Sequence, residues 1–152
     1  ASARARRCRR IWNLSSGQIN ILRARHSENP LDRVQPVVTK DELLNLIQEA
    51  RAVEANDRIF DYVTTLAEAT RTHPMVELGV SPRGALALCR MAKAHAFLAG
   101  RDFVVPEDVA AVFPDVCAHR LILSAKARMM EEKAENILAE ILKSVDMPVL
   151  KA

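Results

Sequence analysis

The stretch that decides the fold is residues 78–115, LGVSPRGALALCRMAKAHAFLAGRDFVVPEDVAAVFPD. Ser81 and Pro82 stand at its start in the order of an N-cap residue followed by a proline in the first turn of a helix. Residues 85–99 are then apolar almost all round, and Gly100 is a typical C-terminal stop. This pattern predicts a long helix at the centre of a helical domain.

A second helix is predicted shortly after the first. Residues 103–105 (FVV) are too short to be more than a bridge strand, and residues 106–108 (PED) then open a helix with acids in its first turn, where the helix dipole favours them. The charged residues of the long helix, Arg83, Arg90 and Lys93, fall on one side of it. We therefore expect that side to face solvent or a partner.

Further helices are predicted on both sides of this stretch, because apolar residues recur at helical spacing. A capping box, Thr39 with Glu42, starts one of them, and Asn56 and Asp57 can cap the next. His73-Pro74 ends that helix. The predicted spans are 18–25, 39–53, 56–73 and about 128–145, the last with Met130 on its apolar face.

The composition supports an all-α fold. Apolar residues make up 49% of the chain and aromatic residues only 4%, with 4 glycines and 7 prolines. Sandwiches and barrels need more turn, β-branched and aromatic residues than this. We expect a small bundle of about five to six helices, with room for a very short β bridge. The expected organisation is an Arg-rich tail (1–16), the helical domain (17–146) and a C-terminal tail (147–152).

The positive charge is concentrated at one end. The net charge is +3, and residues 1–10 hold five arginines and no acid. Without them 22 − 5 = 17 bases face 19 acids, a net charge of −2. A basic nucleic-acid footprint spread over the domain is therefore not supported, although the arginine run itself could bind phosphates non-specifically.

No complete catalytic or metal site is found in the sequence. The glycines at 17, 79, 84 and 100 form no GxxxxGK[ST] loop, and the histidines at 26, 73, 95 and 119 lack ligand spacing. Three distant cysteines (8, 89 and 117) form no CxxC motif and fit a reducing cytoplasm. No apolar run long enough for a membrane span and no signal peptide is recognised.

Three short motifs, SPR at 81–83, GRD at 100–102 and PEDV at 106–109, together resemble the helical lid of MoxR-type AAA+ ATPases. The resemblance covers about residues 18–123 and includes residues 119–121 (HRL). Two departures stand out. Val105 replaces the usual Thr or Ser N-cap, and residues 1–12 do not match the end of an ATPase core. Residues 1–16 are thus either a flexible tail or a remnant of that end.

The resemblance implies that Arg83 is the sensor 2 arginine, which reaches the γ-phosphate of ATP, and that Ser81, Pro82 and Gly84 beside it belong to the same ATP-binding turn. A guanidinium can bind phosphate oxygens in a fork, and the first turn of a helix favours an anion. Arg90 is either an interface residue or a plain surface charge. His119-Arg120 also match the family, without an evident role.

The implied function is to sense ATP and couple its hydrolysis to the remodelling of protein partners. ATP with Mg²⁺ is expected only where the ATPase core is present, so the chain alone should be inactive. The implied partners are its own AAA+ core, a homo-oligomeric ring, expected to be a hexamer, and von Willebrand A domain proteins, in the cytoplasm. The alternatives are a helical nucleic-acid-binding or protein-interaction module that uses the basic N-terminus.

Overall fold

The computed structural model describes Ile19 and residues 34–149. The chain forms two compact units, residues 1–40 and 41–152, and most of the first lies outside the described residues. The Arg-rich segment, the boundary after residue 16 and, apart from Ile19, the helix predicted at 18–25 also lie outside them. Those three expectations stay predictions.

Six α-helices, one 3₁₀ turn and one small antiparallel sheet make up the described fold, which confirms the all-α prediction. The helices are α1 (Lys40–Ala52), α2 (Asp57–Thr72), α3 (Pro82–Leu98), α4 (Pro106–Cys117), α5 (Ala125–Met129) and α6 (Ala134–Ser144). The 3₁₀ turn is Ala118–Arg120.

Capping residues fix the helix ends as the sequence predicts. Asn56 accepts a hydrogen bond from the Arg58 N–H at 2.7 Å and starts α2. Gly100, at φ 74°, ends α3. Its N–H donates to the Phe97 carbonyl and the Arg101 N–H to the Ala96 carbonyl, the two bonds of a Schellman motif.

The single helix predicted for residues 128–145 is wrong, because two helices stand there. Ser124 caps α5, and Glu131 adopts a left-handed conformation at φ 53°. The Glu131 and Glu132 N–H groups donate back to the carbonyls of Arg128 and Ala127, which closes α5 before α6 begins. Consequently Met130, predicted on an apolar face, is 60% exposed.

The two strands are short. β1 (Val76–Leu78) pairs with β2 (Ile122–Leu123), with Val76 opposite Leu123. This pairing forms in a region that the sequence indicates is loop, and it ties the segment before α3 to the segment after α4. The predicted bridge strand is confirmed by Phe103, which forms a parallel bridge with Glu54.

The core lies between α2, α3, α4 and α6. Its largest fully buried side chains include those of Phe113, Ile59, Leu66, Leu88 and Ile137. By contrast, α1 has no buried residue, and its apolar residues Leu43, Leu44 and Ile47 are exposed. The helical spacing in α1 is thus confirmed, but its burial is not.

Helix α3 packs against α2 and α4 as predicted for a central helix, but its apolar residues are not covered all round. Gly84, Leu88, Ala92 and Ala96, each four residues apart, form the buried ridge. Five exposed residues lie outside this ridge, and we call them the outer face of α3: Arg83, Leu86, Arg90, Met91 and Leu98. Lys93, predicted beside the arginines, is half-buried and donates to the Arg51 carbonyl.

Candidate functional site: the turn before helix α3

The turn that carries the SPR motif is held against the end of α2. Thr70, which is fully buried, accepts a hydrogen bond from the Val80 N–H at 2.9 Å and donates to the Ala67 carbonyl. Arg71 donates from Nε to the Val80 carbonyl at 2.9 Å. Both backbone groups of Val80 are therefore bonded to α2, which fixes the chain one residue before Ser81.

Two glycines allow this close packing. A Cβ on Gly79 would lie 2.7 Å from the Arg71 backbone nitrogen, and one on Gly84 would lie 2.7 Å from Cγ1 of Val80. Both distances are shorter than real carbon contacts. Glycine is needed at these positions because any side chain would clash. Backbone freedom is not the reason, since neither glycine has a positive φ.

Ser81 and Pro82 begin α3 as predicted. The Ser81 side chain accepts from the Gly84 N–H at 3.3 Å, and Pro82 occupies the first turn. Arg83 follows and is exposed. Among the described residues it has no carboxylate partner and no hydrogen-bonded acceptor, and the first turn of α3 contains no acid. The turn therefore presents a free guanidinium beside the positive end of a helix dipole.

Arg120 lies next to the same turn. Its Cδ would be 3.4 Å from a Cβ on Gly84, and its Nε donates to the Val116 carbonyl at 2.9 Å. The structure thus brings the HRL motif to the SPR motif across 36 residues of sequence. Sequence reasoning gave Arg120 no role and did not single out Arg71. The only signal for Arg120 was its match to the family.

Arg90 lies on the outer face of α3, two turns after Arg83. The exposed fractions of its apolar neighbours Leu86, Met91 and Leu98 are 59%, 48% and 84%. Large apolar side chains next to arginines on an exposed helix face are typical of a docking surface. This placement is compatible with the interface role for Arg90.

A buried ion pair locks α4 to the end of α3. Asp108, 1% exposed, receives two hydrogen bonds from the Arg101 guanidinium, at 2.7 and 2.6 Å. Its oxygens also accept from the Val105 N–H at 2.9 Å and lie 2.7 Å from Nδ1 of His95. The GRD and PEDV motifs thus form one ion-paired unit, whereas the sequence pattern gave the acids of residues 106–108 only a favourable place in the helix dipole. His95 is thus a partly exposed histidine whose ring has a hydrogen-bonding partner in Asp108.

The pKa values of two buried ionisable groups here are shifted in opposite directions. Burial alone would raise the pKa of Asp108, but the bonds from Arg101, the Val105 N–H and His95 outweigh it and lower the pKa to about 2. Burial raises the pKa of the Cys117 thiol to about 11, with a smaller opposing effect of Arg120. Asp108 is therefore ionised at neutral pH and Cys117 is an unreactive thiol.

Within the described residues, no group of three or more His, Cys, Asp or Glu side chains is placed to hold a metal ion. In the same part of the chain, no helix combines the length and apolarity needed to cross a membrane.

Comparison with known proteins supports the resemblance. Residues 68–141 match the family of AAA lid domains. The chain is 36% identical over 135 residues to the uncharacterized protein YeaC of Bacillus subtilis, covering 89% of this chain and 42% of the relative. It is 31% identical over 129 residues to Chaperone MoxR1 of Mycobacterium tuberculosis, covering 79% and 34%.

A solved structure agrees with these relatives. A protein from Cytophaga hutchinsonii assigned as an ATPase superposes with a TM-score of 0.76 and 28% identity, over 90% of this chain and 44% of that one. The chain spans less than half the length of each of these proteins. Motifs, fold and relatives agree, and the chain is a helical AAA lid of the MoxR family.

Proposed function

We propose that this chain is the nucleotide-sensing lid of a MoxR-type ATPase and that Arg83 contacts the γ-phosphate of ATP bound by the ATPase core. The observation that supports this most is the placement of Arg83. It is exposed in the first turn of α3 and has no carboxylate partner among the described residues. The backbone leading to it is fixed by Thr70 and Arg71.

The chemistry of the turn fits a phosphate. Phosphoryl transfer is catalysed largely by positioned positive charge, because charge spreads over the phosphate oxygens in the transition state. A guanidinium stays ionised at any physiological pH and binds such oxygens in a fork. A fixed turn also lowers the cost of orienting Arg83 when the lid closes. ATP and Mg²⁺ would be held mainly by the core.

We expect this chain to hydrolyse no ATP by itself, because its sequence contains no GxxxxGK[ST] loop. Its role would be to close over the nucleotide and to transmit hydrolysis as a movement between lid and core. Steady ATP turnover by the purified chain would contradict this division of labour.

We further propose that the outer face of α3 docks on an ATPase core, of the same or of a neighbouring subunit, in a ring expected to be hexameric. The support is that Leu86, Met91 and Leu98 are exposed on the same helix as Arg83. The relative in Mycobacterium tuberculosis is named a chaperone. A chaperone-like remodelling role in the cytoplasm, with von Willebrand A domain partners, is carried over from family resemblance.

The test is Arg83→Ala in a polypeptide that joins this lid to its ATPase core. ATP turnover should fall by a factor on the order of 10², the usual loss when one charge-stabilising donor is removed. Arg83→Lys should recover only part of it, since an ammonium cannot form the fork. Arg51→Gln, at an exposed arginine in the last turn of α1, is the matched control and should retain turnover. Unchanged turnover in Arg83→Ala would refute the proposal.

A further inference from the structure

Two arginines besides Arg83 border the turn before α3. Arg71 contacts it on the N-terminal side, at Gly79 and Val80, and Arg120 contacts it on the C-terminal side, at Gly84. They come from the end of α2 and from the 3₁₀ turn after α4. Three different elements thus each bring one arginine to a segment of six residues, 79–84.

The Arg71 side chain is held in place by one end of its guanidinium. Its Nε donates to the Val80 carbonyl, and its Cγ would lie 2.8 Å from a Cβ on Gly79. Both terminal nitrogens remain without an acceptor among the described residues. Arg71 is also exposed, so those nitrogens can reach solvent or a ligand.

Arg120 is held in the same manner. Its Nε donates to the Val116 carbonyl, and its aliphatic stem passes across Gly84, the residue after Arg83. Its two terminal nitrogens also lack an acceptor in the described part of the chain. The Nε bond of Arg120 caps a carbonyl at the end of α4, and that of Arg71 holds the carbonyl of Val80 in the turn before α3. These bonds leave the two terminal nitrogens of each guanidinium available, with Arg71 at the start of the turn and Arg120 at its end.

The charge around the turn is not balanced by acids. Of the other described arginines, Arg101 is paired with Asp108 and Arg128 with Glu77, whereas Arg58 donates to the Val149 carbonyl. Among the described residues, none of the three arginines at the turn has a carboxylate partner, and the first turn of α3 has no acid. Like charges gathered without counter-charges repel each other, and a bound polyanion would remove that repulsion.

We propose that Arg71 and Arg120 join Arg83 in binding the phosphate chain of the nucleotide, so that the lid presents three guanidiniums to a triphosphate. The inference rests on the proposed function. It adds two phosphate-binding residues to the one that the SPR motif supplies. It also gives a role to the HRL motif, which places Arg120 beside Gly84.

The first experiment uses the chain itself and inorganic tripolyphosphate as the probe. We expect the Nε–H resonances of Arg71, Arg83 and Arg120 to shift together on titration, while that of Arg51 stays in place. Binding should be tighter than that of inorganic phosphate and should weaken with added salt. Shifts confined to Arg83, or equal shifts at Arg51, would overturn the three-arginine site.

Variants provide an independent measurement. Arg71→Gln and Arg120→Gln should each weaken tripolyphosphate binding roughly two- to fivefold, as expected for one exposed charge pair. Arg120→Lys, which keeps the charge, should weaken it less. Melting temperatures separate binding from folding, because Arg120 also packs on Gly84. Wild-type affinity in folded Arg71→Gln and Arg120→Gln would overturn the inference.

The two proposals can fail separately. If Arg83→Ala abolishes ATP turnover in the intact ATPase while tripolyphosphate leaves Arg71 and Arg120 unaffected, the lid function stands and the three-arginine site is wrong. If all three arginines respond to tripolyphosphate but Arg83→Ala leaves turnover unchanged, the assignment of the site to the nucleotide is overturned together with the proposed function.

Discussion

Gly84 is the residue at which the candidate site meets the core. It is buried, directly follows Arg83, and contacts both Val80 and Arg120. Glycine normally lowers helix stability. Here the missing Cβ allows the turn and α3 to approach each other. The packing gained in this way outweighs the low helix propensity of glycine.

We therefore predict that Gly84→Ala destabilises the chain by about 1–3 kcal/mol, the usual cost of overpacking. The new Cβ would meet Cγ1 of Val80 at 2.7 Å. Thermal or urea unfolding measures the loss. Gly84→Ala should cost less in a Val80→Ala background than alone, because the clashing methyl is gone. Strictly additive effects of the two substitutions would contradict this explanation.

Asp108 is the second residue on which the local structure depends. Its pKa of about 2 lies below the ordinary value of 3.8, so its ionised form stabilises the fold. That contribution is present above pH 4 and is lost as the pH falls from about 4 towards 2. By linkage the contribution is roughly 2 kcal/mol at neutral pH.

We predict that Asp108→Asn lowers the free energy of unfolding at pH 7 by about 2 kcal/mol. Between pH 4 and pH 2 the free energy of unfolding should fall less in the variant than in the wild type. Urea unfolding over this pH range is the measurement. Asp115→Asn, at an exposed carboxylate of the same helix, is the matched control. Parallel pH profiles for wild type and Asp108→Asn would rule out the buried pair as the cause.

At the scale of the element, α4 begins without a side-chain cap. Val105 occupies the N-cap position with β-region angles of φ −110° and ψ 158° but has no oxygen to accept a bond. Asp108 compensates in part, since its carboxylate accepts from the Val105 N–H. The N–H of Asp108 itself donates only to the Val105 carbonyl.

We predict that Val105→Thr stabilises the chain by about 1 kcal/mol, because threonine keeps the branched shape and adds a capping hydroxyl. A higher melting temperature is the expected readout. Val105→Ala, which removes methyl groups without adding an oxygen, should lower it. An unchanged or lower melting temperature in Val105→Thr would contradict this, because the desolvation of the half-buried hydroxyl would then cancel the stabilisation by the capping hydrogen bond.

At the scale of the whole molecule, the two sides of α3 have different tasks. Its inner ridge builds the core with α4, whereas its outer face remains uncovered in the described residues. Such a division is expected of a domain that completes its core internally and docks on something else through exposed apolar residues.

We predict that Leu88→Ala destabilises this chain by about 2–5 kcal/mol, since Leu88 is fully buried. Leu98→Ala should change its stability by less than about 0.5 kcal/mol, because Leu98 is 84% exposed. Calorimetry of the two variants is the comparison. A large loss for Leu98→Ala would mean that the outer face stabilises the chain itself and is not free for docking.

The sequence by itself determined the helical class, the start of α2 and α3, the stop at Gly100 and the location of Arg83. These follow from local rules, because caps, prolines and periodicity act within a few residues. It could not reveal that Leu86, Met91 and Leu98 are exposed on α3, since leucine and methionine give the same pattern whether a partner covers them or not.

Tertiary structure decided what depends on distant residues. The Arg101–Asp108 ion pair, the pairing of β1 with β2 and the contact of Arg120 with Gly84 join segments that local patterns treat separately. The left-handed Glu131 splits the last predicted helix in two, against its apolar spacing. In each case the energy comes from a partner brought close by folding, and no local propensity encodes that partner.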